Sequence, residues 1–258
     1  MQGISIVTGT LNRKEYLPSL IENTVNSGSD VEIELILVDG GSTDGTIQFI
    51  EELNHPKIKL INHGQRSPYP HYMNLGVKAA SHDLICQWND DVLLAASWDD
   101  VLAEIDDEHS AYLFNWKEGN VEDMSNEGWL SCRHIRDNGW IIINNAEFDY
   151  PQSKGEQRGE IVMNYGIYKR SVFMEYGLYS PAYQYYCADG EMAMRSYYQG
   201  VKFKTLLNIK VCVLPAEKRA IMIQSDINQY YADCTFLRDN VQNGANLSFS
   251  FPGEYLDG

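Results

Sequence analysis

Apolar and polar positions in the first hundred residues switch between a period of two and a period near 3.6. Ile4 to Thr8 is a short β-branched run. Arg13 to Val25 then places Tyr16, Leu17, Leu20, Ile21, Thr24 and Val25 at helical spacing. Ile33 to Val38 predicts a second strand, stopped by Asp39-Gly40-Gly41. Ser42, Thr43 or Asp44 can cap the next helix, which carries Ile47, Phe49, Ile50 and Leu53. Lys57 to Asn62 reads as a third strand, Tyr72 to Ala80 as a helix, and Leu84 to Trp88 as a fourth strand. Ser97 opens another helix, with Asp99 and Asp100 in its first turn, where the dipole favours negative charge.

This β-α-β-α-β-α-β order predicts an α/β fold, a parallel sheet with helices on both faces. Ligands of such sheets collect beyond the carboxyl ends of the strands. Here those ends are Thr8-Gly9-Thr10, Asp39-Gly40-Gly41 and Asn89-Asp90-Asp91, all polar. The second half is less regular. Strands are expected at Tyr112 to Trp116 and Trp140 to Asn144, with a polar loop at Pro151 to Gly159. A helix from Met192 to Tyr198 should follow Asp189-Gly190, then strands near Val201 to Lys204 and Ile209 to Leu214, and a last helix from about Asp226 to Val241. The expectation is one domain over residues 1–242, with halves at 1–105 and 106–242, and a loose tail at 243–258.

Charge narrows the partners. Twenty basic residues against 36 acidic ones give a formal charge of −16, which excludes a nucleic-acid partner because phosphate binding needs clustered Lys and Arg. It also means that a nucleotide diphosphate would need a cation to mediate its contact. Five cysteines (Cys86, Cys132, Cys187, Cys212, Cys234) are odd in number, widely spaced and without a C-x-x-C pair, which fits a reducing compartment. With no apolar stretch near 18 residues, the expected location is cytoplasmic, reaching a membrane at most through an acceptor. Oligomeric state is not readable from the sequence.

A reaction that expels a diphosphate and joins a hydroxyl poses two electrostatic problems. Negative charge gathers on a diphosphate leaving group, and an acceptor hydroxyl must lose its proton. A carboxylate-held divalent ion answers the first and a positioned carboxylate the second. Asn89-Asp90-Asp91 directly follows an apolar strand and suits the metal role, although an acidic turn entering the next helix reads the same. Asp39 can accept hydrogen bonds from a base or ribose, or simply end its strand in an Asp-Gly-Gly turn. Asp189 can be a base or only a helix cap. Residues two apart on a helix point ~200° away from each other, so Asp189 and Glu191 cannot both face one cleft.

Four segments together shift this balance. Ile6-Val7-Thr8-Gly9-Thr10-Leu11-Asn12-Arg13, Val38-Asp39-Gly40-Gly41-Ser42-Thr43-Asp44-Gly45-Thr46, Asn74-Leu75-Gly76 with Ala79-Ala80, and Asn89-Asp90-Asp91 resemble the family 2 glycosyltransferases of GT-A fold. The likeness runs over residues 3–105 and resumes at Asp189 to Gly200. It implies a GT-A fold, a Rossmann-like mostly parallel sheet with a smaller irregular acceptor-side half. It also implies inverting transfer from a UDP-, GDP- or dTDP-sugar to a glycan or other hydroxyl. By resemblance, Thr8, Gly9, Thr10, Arg13, Asp39, Gly40, Asn89 and Asp90 bind the nucleotide sugar, Asp91 holds Mn²⁺ or Mg²⁺, and Asp189 is the base. Gly40 stands where many members carry a second acid, Leu11 where Tyr is frequent, and Met73 where an Arg often precedes the Asn. Pro215 to Arg219 lacks the His that some members use near the metal; Lys218 and Arg219 can meet the diphosphate instead or be solvated surface charge. Tyr179, Tyr183, Tyr185 and Tyr186 crowd the approach to Asp189, as an acceptor platform or as ordinary core or rim packing.

Rival readings lack their motifs. A nucleotidyltransferase needs a Gly- and Lys/Arg-rich loop, which Thr8 to Lys14 is not. No G-x-G-x-x-G follows the first strand and no G-x-S-x-G is present. A non-catalytic sugar- or nucleotide-binding module is opposed by Asp39, Asp91 and Asp189.

Overall fold

The computed structural model describes residues 2–119, 132–136, 139–143, 165–184 and 187–214, with positions 228, 229, 232, 233, 235 and 236. Strands β1 (Gly3–Thr10), β2 (Glu32–Asp39), β3 (Ile58–Asn62) and β4 (Leu84–Gln87) are joined by helices α1 (Leu17–Asn23), α2 (Thr46–Leu53) and α3 (Tyr69–Ala79). After β4 come β5 (Val92–Leu94), α4 (Trp98–Ala103), β6 (Ala111–Glu118), the hairpin β7 (Cys132–Arg136) and β8 (Gly139–Ile143), β9 (Gly166–Lys169), α5 (Arg170–Tyr176), α6 (Ala188–Tyr198) and β10 (Phe203–Val213).

Eight strands form one sheet in the order β3-β2-β1-β4-β9-β6-β10-β5. The expected parallel block is there: β1 pairs in parallel with β2 and β4, and β2 with β3. Beyond it the sheet is mixed. Strand β9 runs antiparallel between β4 and β6, and β5 runs antiparallel to β10 at the edge. Side chains alternate across the block as the strand period requires. Ile4, Ile6, Leu35, Leu37 and Cys86 pack on one face with Leu17, Leu20, Ile21 and Ile50 from α1 and α2. Val7, Ile36 and Ile85 face the other side, against Met73 and Val77 of α3, Val172 and Phe173 of α5, and Met192 of α6. Helices therefore cover both faces.

Several boundaries move. The α2 N-cap position is Gly45, at φ 91°, while the carboxylate of Asp44 accepts the Thr46 N–H at 3.0 Å. At α4 the expected start is fully formed, with Ser97 and Asp100 in a reciprocal capping box. Helix α6 begins four residues before Met192, at Ala188, so Asp189 lies inside its first turn and the cap position belongs to Cys187. The two late strands are one, β10, whose register against β6 shifts between Leu206 and Lys210. Strands β5, β7 and β9 and helix α5 are not among the expected elements. The loop at 151–159, residues Lys218 and Arg219, and the tail at 243–258 lie outside the described residues, as does most of the last helix; its described positions are helical. Among the described residues no helix is long and apolar enough to cross a membrane.

Candidate active site

The carboxyl ends of β1, β2 and β4 meet at one rim. Thr10 lies opposite Asp39 in the parallel register, and the Gly40 N–H donates to the Thr10 carbonyl at 2.9 Å. Two loops leave this rim and are stitched together. The Asn12 amide carbonyl accepts the Thr43 N–H at 2.7 Å, the Asn12 N–H donates to Ser42 Oγ at 2.8 Å, and the Lys14 N–H donates to Asp44 at 3.0 Å. The Ser42-Thr43-Asp44 stretch thus fixes the loop that carries Arg13.

Asp39 is buried, and its hydrogen bonds serve its own turn. Oδ1 accepts from Gly41 N and Ser42 N, each at 2.8 Å, and Oδ2 accepts the Ser42 hydroxyl. Thr8 is likewise buried, with its hydroxyl on the Gly9 carbonyl. Gly9, Thr10, Leu11, Arg13, Asn89 and Asp90 line a cleft of about 220 Å³. Its other wall is Arg66, Ser67, Tyr69 and Tyr72, none of them singled out from the sequence. Of the eight residues assigned to the nucleotide sugar, Thr8, Asp39 and Gly40 stand behind the wall rather than on it. Tyr72 is the reason for Gly40. Its hydroxyl accepts the Ser67 N–H at 2.6 Å and occupies the space a Cβ at Gly40 would need; its ring does the same at Gly9.

The acidic turn is held from three sides. The Trp88 indole N–H, deep in the core, donates to the Val92 carbonyl at 3.0 Å and closes the turn. Asn89 Nδ2 donates to the Tyr165 hydroxyl at 3.4 Å. Just past β10, the neighbour of β5, the Leu214 N–H donates to the Asp91 carbonyl at 2.8 Å. Asp90 is 7% exposed and accepts the Thr10 hydroxyl at 2.9 Å. Burial pushes its carboxyl up to about 6, with Asp91 adding to the rise and Arg13 and Thr10 opposing it. Both acids turn toward one atom: Arg13 Nη2 lies 2.7 Å from Asp91 Oδ2 and 3.2 Å from Asp90 Oδ1.

That convergence fits a divalent cation, since two carboxylate oxygens already meet at a single positive centre. Among the described residues no group of three or more His, Cys, Asp and Glu is placed to hold a metal ion by itself. Further ligands would be diphosphate and water oxygens, as Mg²⁺ sites commonly use.

Asp189 and Glu191 meet different surroundings. Glu191 is buried and paired with Arg195, with Nε to Oε1 at 2.8 Å. Asp189 is half-buried; its Oδ1 accepts the Gly190 N–H at 2.9 Å. Its charge reaches Tyr69, Tyr168 and Tyr179, whose phenols are pushed well up by burial first and by Asp189 among the neighbouring groups. Tyr69 stands at the cleft and packs edge-on to Tyr179, in the segment between α5 and α6. The expected aromatic platform changes character. Tyr179 and Tyr183 are each 1% exposed and belong to the packing, with Tyr179 donating to Gln87 at 2.5 Å. Tyr185 and Tyr186 lie outside the described residues.

A Rossmann-like sheet with an acidic turn at the rim and a cleft beside it defines a GT-A-like transferase scaffold. The chain belongs to glycosyl transferase family 2, whose profile matches residues 5–177. Among solved structures it resembles S. aureus TarS 1-349 in complex with UDP, with a TM-score of 0.58 at 17% identity over 93% of this chain and 72% of that one. It also resembles the mannosyltransferase PcManGT from Pyrobaculum calidifontis in complex with GDP-Man and Mn²⁺, with a TM-score of 0.59 at 16% identity over 98% and 72%. Two curated relatives are similar over a shorter stretch. One is a dolichyl N-acetyl-alpha-D-glucosaminyl phosphate 3-beta-D-2,3-diacetamido-2,3-dideoxy-beta-D-glucuronosyltransferase of Methanococcus voltae, 34% identical over 88 residues. The other is an undecaprenyl-phosphate 4-deoxy-4-formamido-L-arabinose transferase of Proteus mirabilis (strain HI4320), 35% identical over 91 residues. Each match takes in 32% of this chain and 27% of the relative.

Proposed function

We propose that the protein moves a sugar from a nucleoside diphosphate to an acceptor hydroxyl, with inversion, in the making of a glycan or polysaccharide. The observation that carries this reading is the acid pair of Asp90 and Asp91 converging on one cationic centre beside a cleft built by Gly9, Thr10 and Asn89. In it the nucleoside lies in that cleft, with Asp39 and Gly40 fixing the wall behind it. Asp91 is the main protein ligand for Mn²⁺ or Mg²⁺, and Asp90 turns to the ribose or sugar. When bound, the ion supplies Lewis acidity toward the leaving diphosphate. Asp189 takes the acceptor proton as the acceptor oxygen bonds to the anomeric carbon. The bond from that carbon to the diphosphate breaks, and the nucleoside diphosphate leaves with the electron pair.

The test is nucleoside diphosphate release from a panel of UDP-, GDP- and dTDP-sugars with Mn²⁺ or Mg²⁺. The names of both curated relatives include a lipid phosphate, so acceptors should include polyprenyl phosphates beside free sugars. Acceptor-dependent release with an inverted product is expected. A folded protein that binds donors and never turns one over would be a binding module instead.

A further inference from the structure

Arg13 sits between the two acids of the turn. One guanidinium nitrogen, Nη2, meets both acids of the turn, at 2.7 Å to Asp91 and 3.2 Å to Asp90. The guanidinium carbon lies 4.1 Å from the centre of the Tyr16 ring. Arg13 Nε is buried and makes no hydrogen bond. A side chain seated for its own sake would not leave a buried donor unmet. What draws Arg13 there is the acid pair: adjacent carboxylates at a partly buried rim, in a protein of charge −16, repel each other and require a positive partner. Arg13 also lines the cleft with Thr10 and Asn89.

We propose that Arg13 is a resident counter-cation which a divalent ion must displace from Asp91, and that the displaced guanidinium then binds the donor's diphosphate. This rests on the reading that a metal ion and a nucleoside diphosphate bind at this rim. A guanidinium and a divalent ion cannot share one point against the same oxygens, because two positive charges that close repel strongly. Metal binding alone therefore strips Arg13 of its acids and gives it nothing in return. A diphosphate changes that, since a guanidinium matches phosphate oxygens in a two-pronged hydrogen-bonded fit. Diphosphate then raises the affinity for metal, and by linkage metal raises the affinity for diphosphate by the same factor. Part of that coupling resides in Arg13. The device keeps the acid pair closed to cations until a donor arrives.

The experiment measures Mn²⁺ binding to the full chain by the electron paramagnetic resonance signal of unbound Mn²⁺, with and without UDP, GDP or dTDP. Without nucleotide, Arg13→Gln should bind Mn²⁺ about tenfold tighter than the wild type, the scale of one charge-assisted pair. Arg13→Lys keeps the charge but not the bridge to both acids, and should fall between them. Adding Asp91→Asn to Arg13→Gln should remove the gain. The rise in Mn²⁺ affinity caused by the nucleotide should be several-fold smaller in Arg13→Gln than in the wild type. Equal nucleotide-free affinities in the wild type and both single variants, with circular dichroism unchanged, would overturn the proposal. So would a nucleotide-induced rise that is the same in wild type and Arg13→Gln. Failure of every nucleotide to bind the wild type would instead remove the transferase reading, and the nucleotide-free comparison would still decide whether Arg13 competes with the ion.

Discussion

Arg195 closes on Glu191 one turn earlier in α6: Nε lies 2.8 Å from Oε1 and Nη2 3.3 Å from Oε2, with both side chains 1% exposed. Its remaining donors go to the carbonyls of Tyr176, Gly177 and Leu178, where α5 ends. The most buried acid of α6 is thus committed to joining two helices, whereas the charge of Asp189 acts on Tyr69 at the cleft.

Removing the charge at Glu191 leaves Arg195 buried without its partner, at a cost of about 3–5 kcal/mol. Glu191→Gln should therefore lower the thermal midpoint sharply. Asp189→Asn should leave the midpoint close to that of the wild type and slow transfer by about 10²–10⁴-fold, with donor affinity nearly unchanged. Thermal denaturation and initial rates on the two variants check this. A folded Glu191→Gln with that rate loss, beside an active Asp189→Asn, would reverse the assignment.

Asp91→Asn should abolish metal-dependent binding of a nucleoside diphosphate in calorimetry. Undiminished binding in that variant, or full binding by the wild type in excess chelator, would remove the ion from the donor site.

Gly40→Ala puts a methyl group where the Tyr72 hydroxyl lies, an overpacking of about 1–3 kcal/mol. In Gly40→Ala/Tyr72→Phe the hydroxyl is gone, so the loss should be clearly smaller than the sum of the single losses. Denaturant unfolding of the three variants measures it, and strict additivity would mean that the two residues do not share this space.

Glu34, on β2 opposite Ser5 of β1, accepts from Ser5 Oγ at 2.5 Å, from the Ser81 N–H, and from Ser81 Oγ at 3.1 Å. Burial alone would push its carboxyl up, but these hydrogen bonds outweigh it and hold it below the ordinary 4.5. A folded value below the unfolded one stabilises fully above about pH 4.5, and that contribution fades as pH falls from there through the folded value. The stability gap between wild type and Glu34→Gln should accordingly be widest near neutral pH and shrink below 4.5. A gap that widens on acidification would contradict the sign.

Most of the first hundred residues were legible because the longer strands and helices there each carry their own period and stop. Asp39-Gly40-Gly41 ends β2 as read, and Ser97 caps α4 as read. What stayed hidden was set by distant contacts. Three-residue β5 has no period to detect and exists because β10 lies alongside it. Four-residue β9 is a strand because β4 and β6 leave a slot between them. The site follows the same rule. Asp90 and Asp91 stand out in sequence as an acidic pair after an apolar run. Tyr72 and Arg66 reach the cleft only through the path of the loop before α3, for which the sequence offers no chemical pattern. The Tyr179 and Tyr183 side chains looked available because spacing cannot tell a rim from a core.

The hydrogen bond from the Leu214 N–H to the Asp91 carbonyl spans well over a hundred residues of sequence. During synthesis the parallel block can assemble early, since its pairings are between near neighbours in the chain. The acidic turn cannot take its final shape until β10 has left the ribosome and docked beside β5 and β6. The nascent protein would thus hold a nearly complete cleft wall before its acid pair is fixed, and chains truncated before β10 should retain the scaffold's first strands without a finished acidic turn.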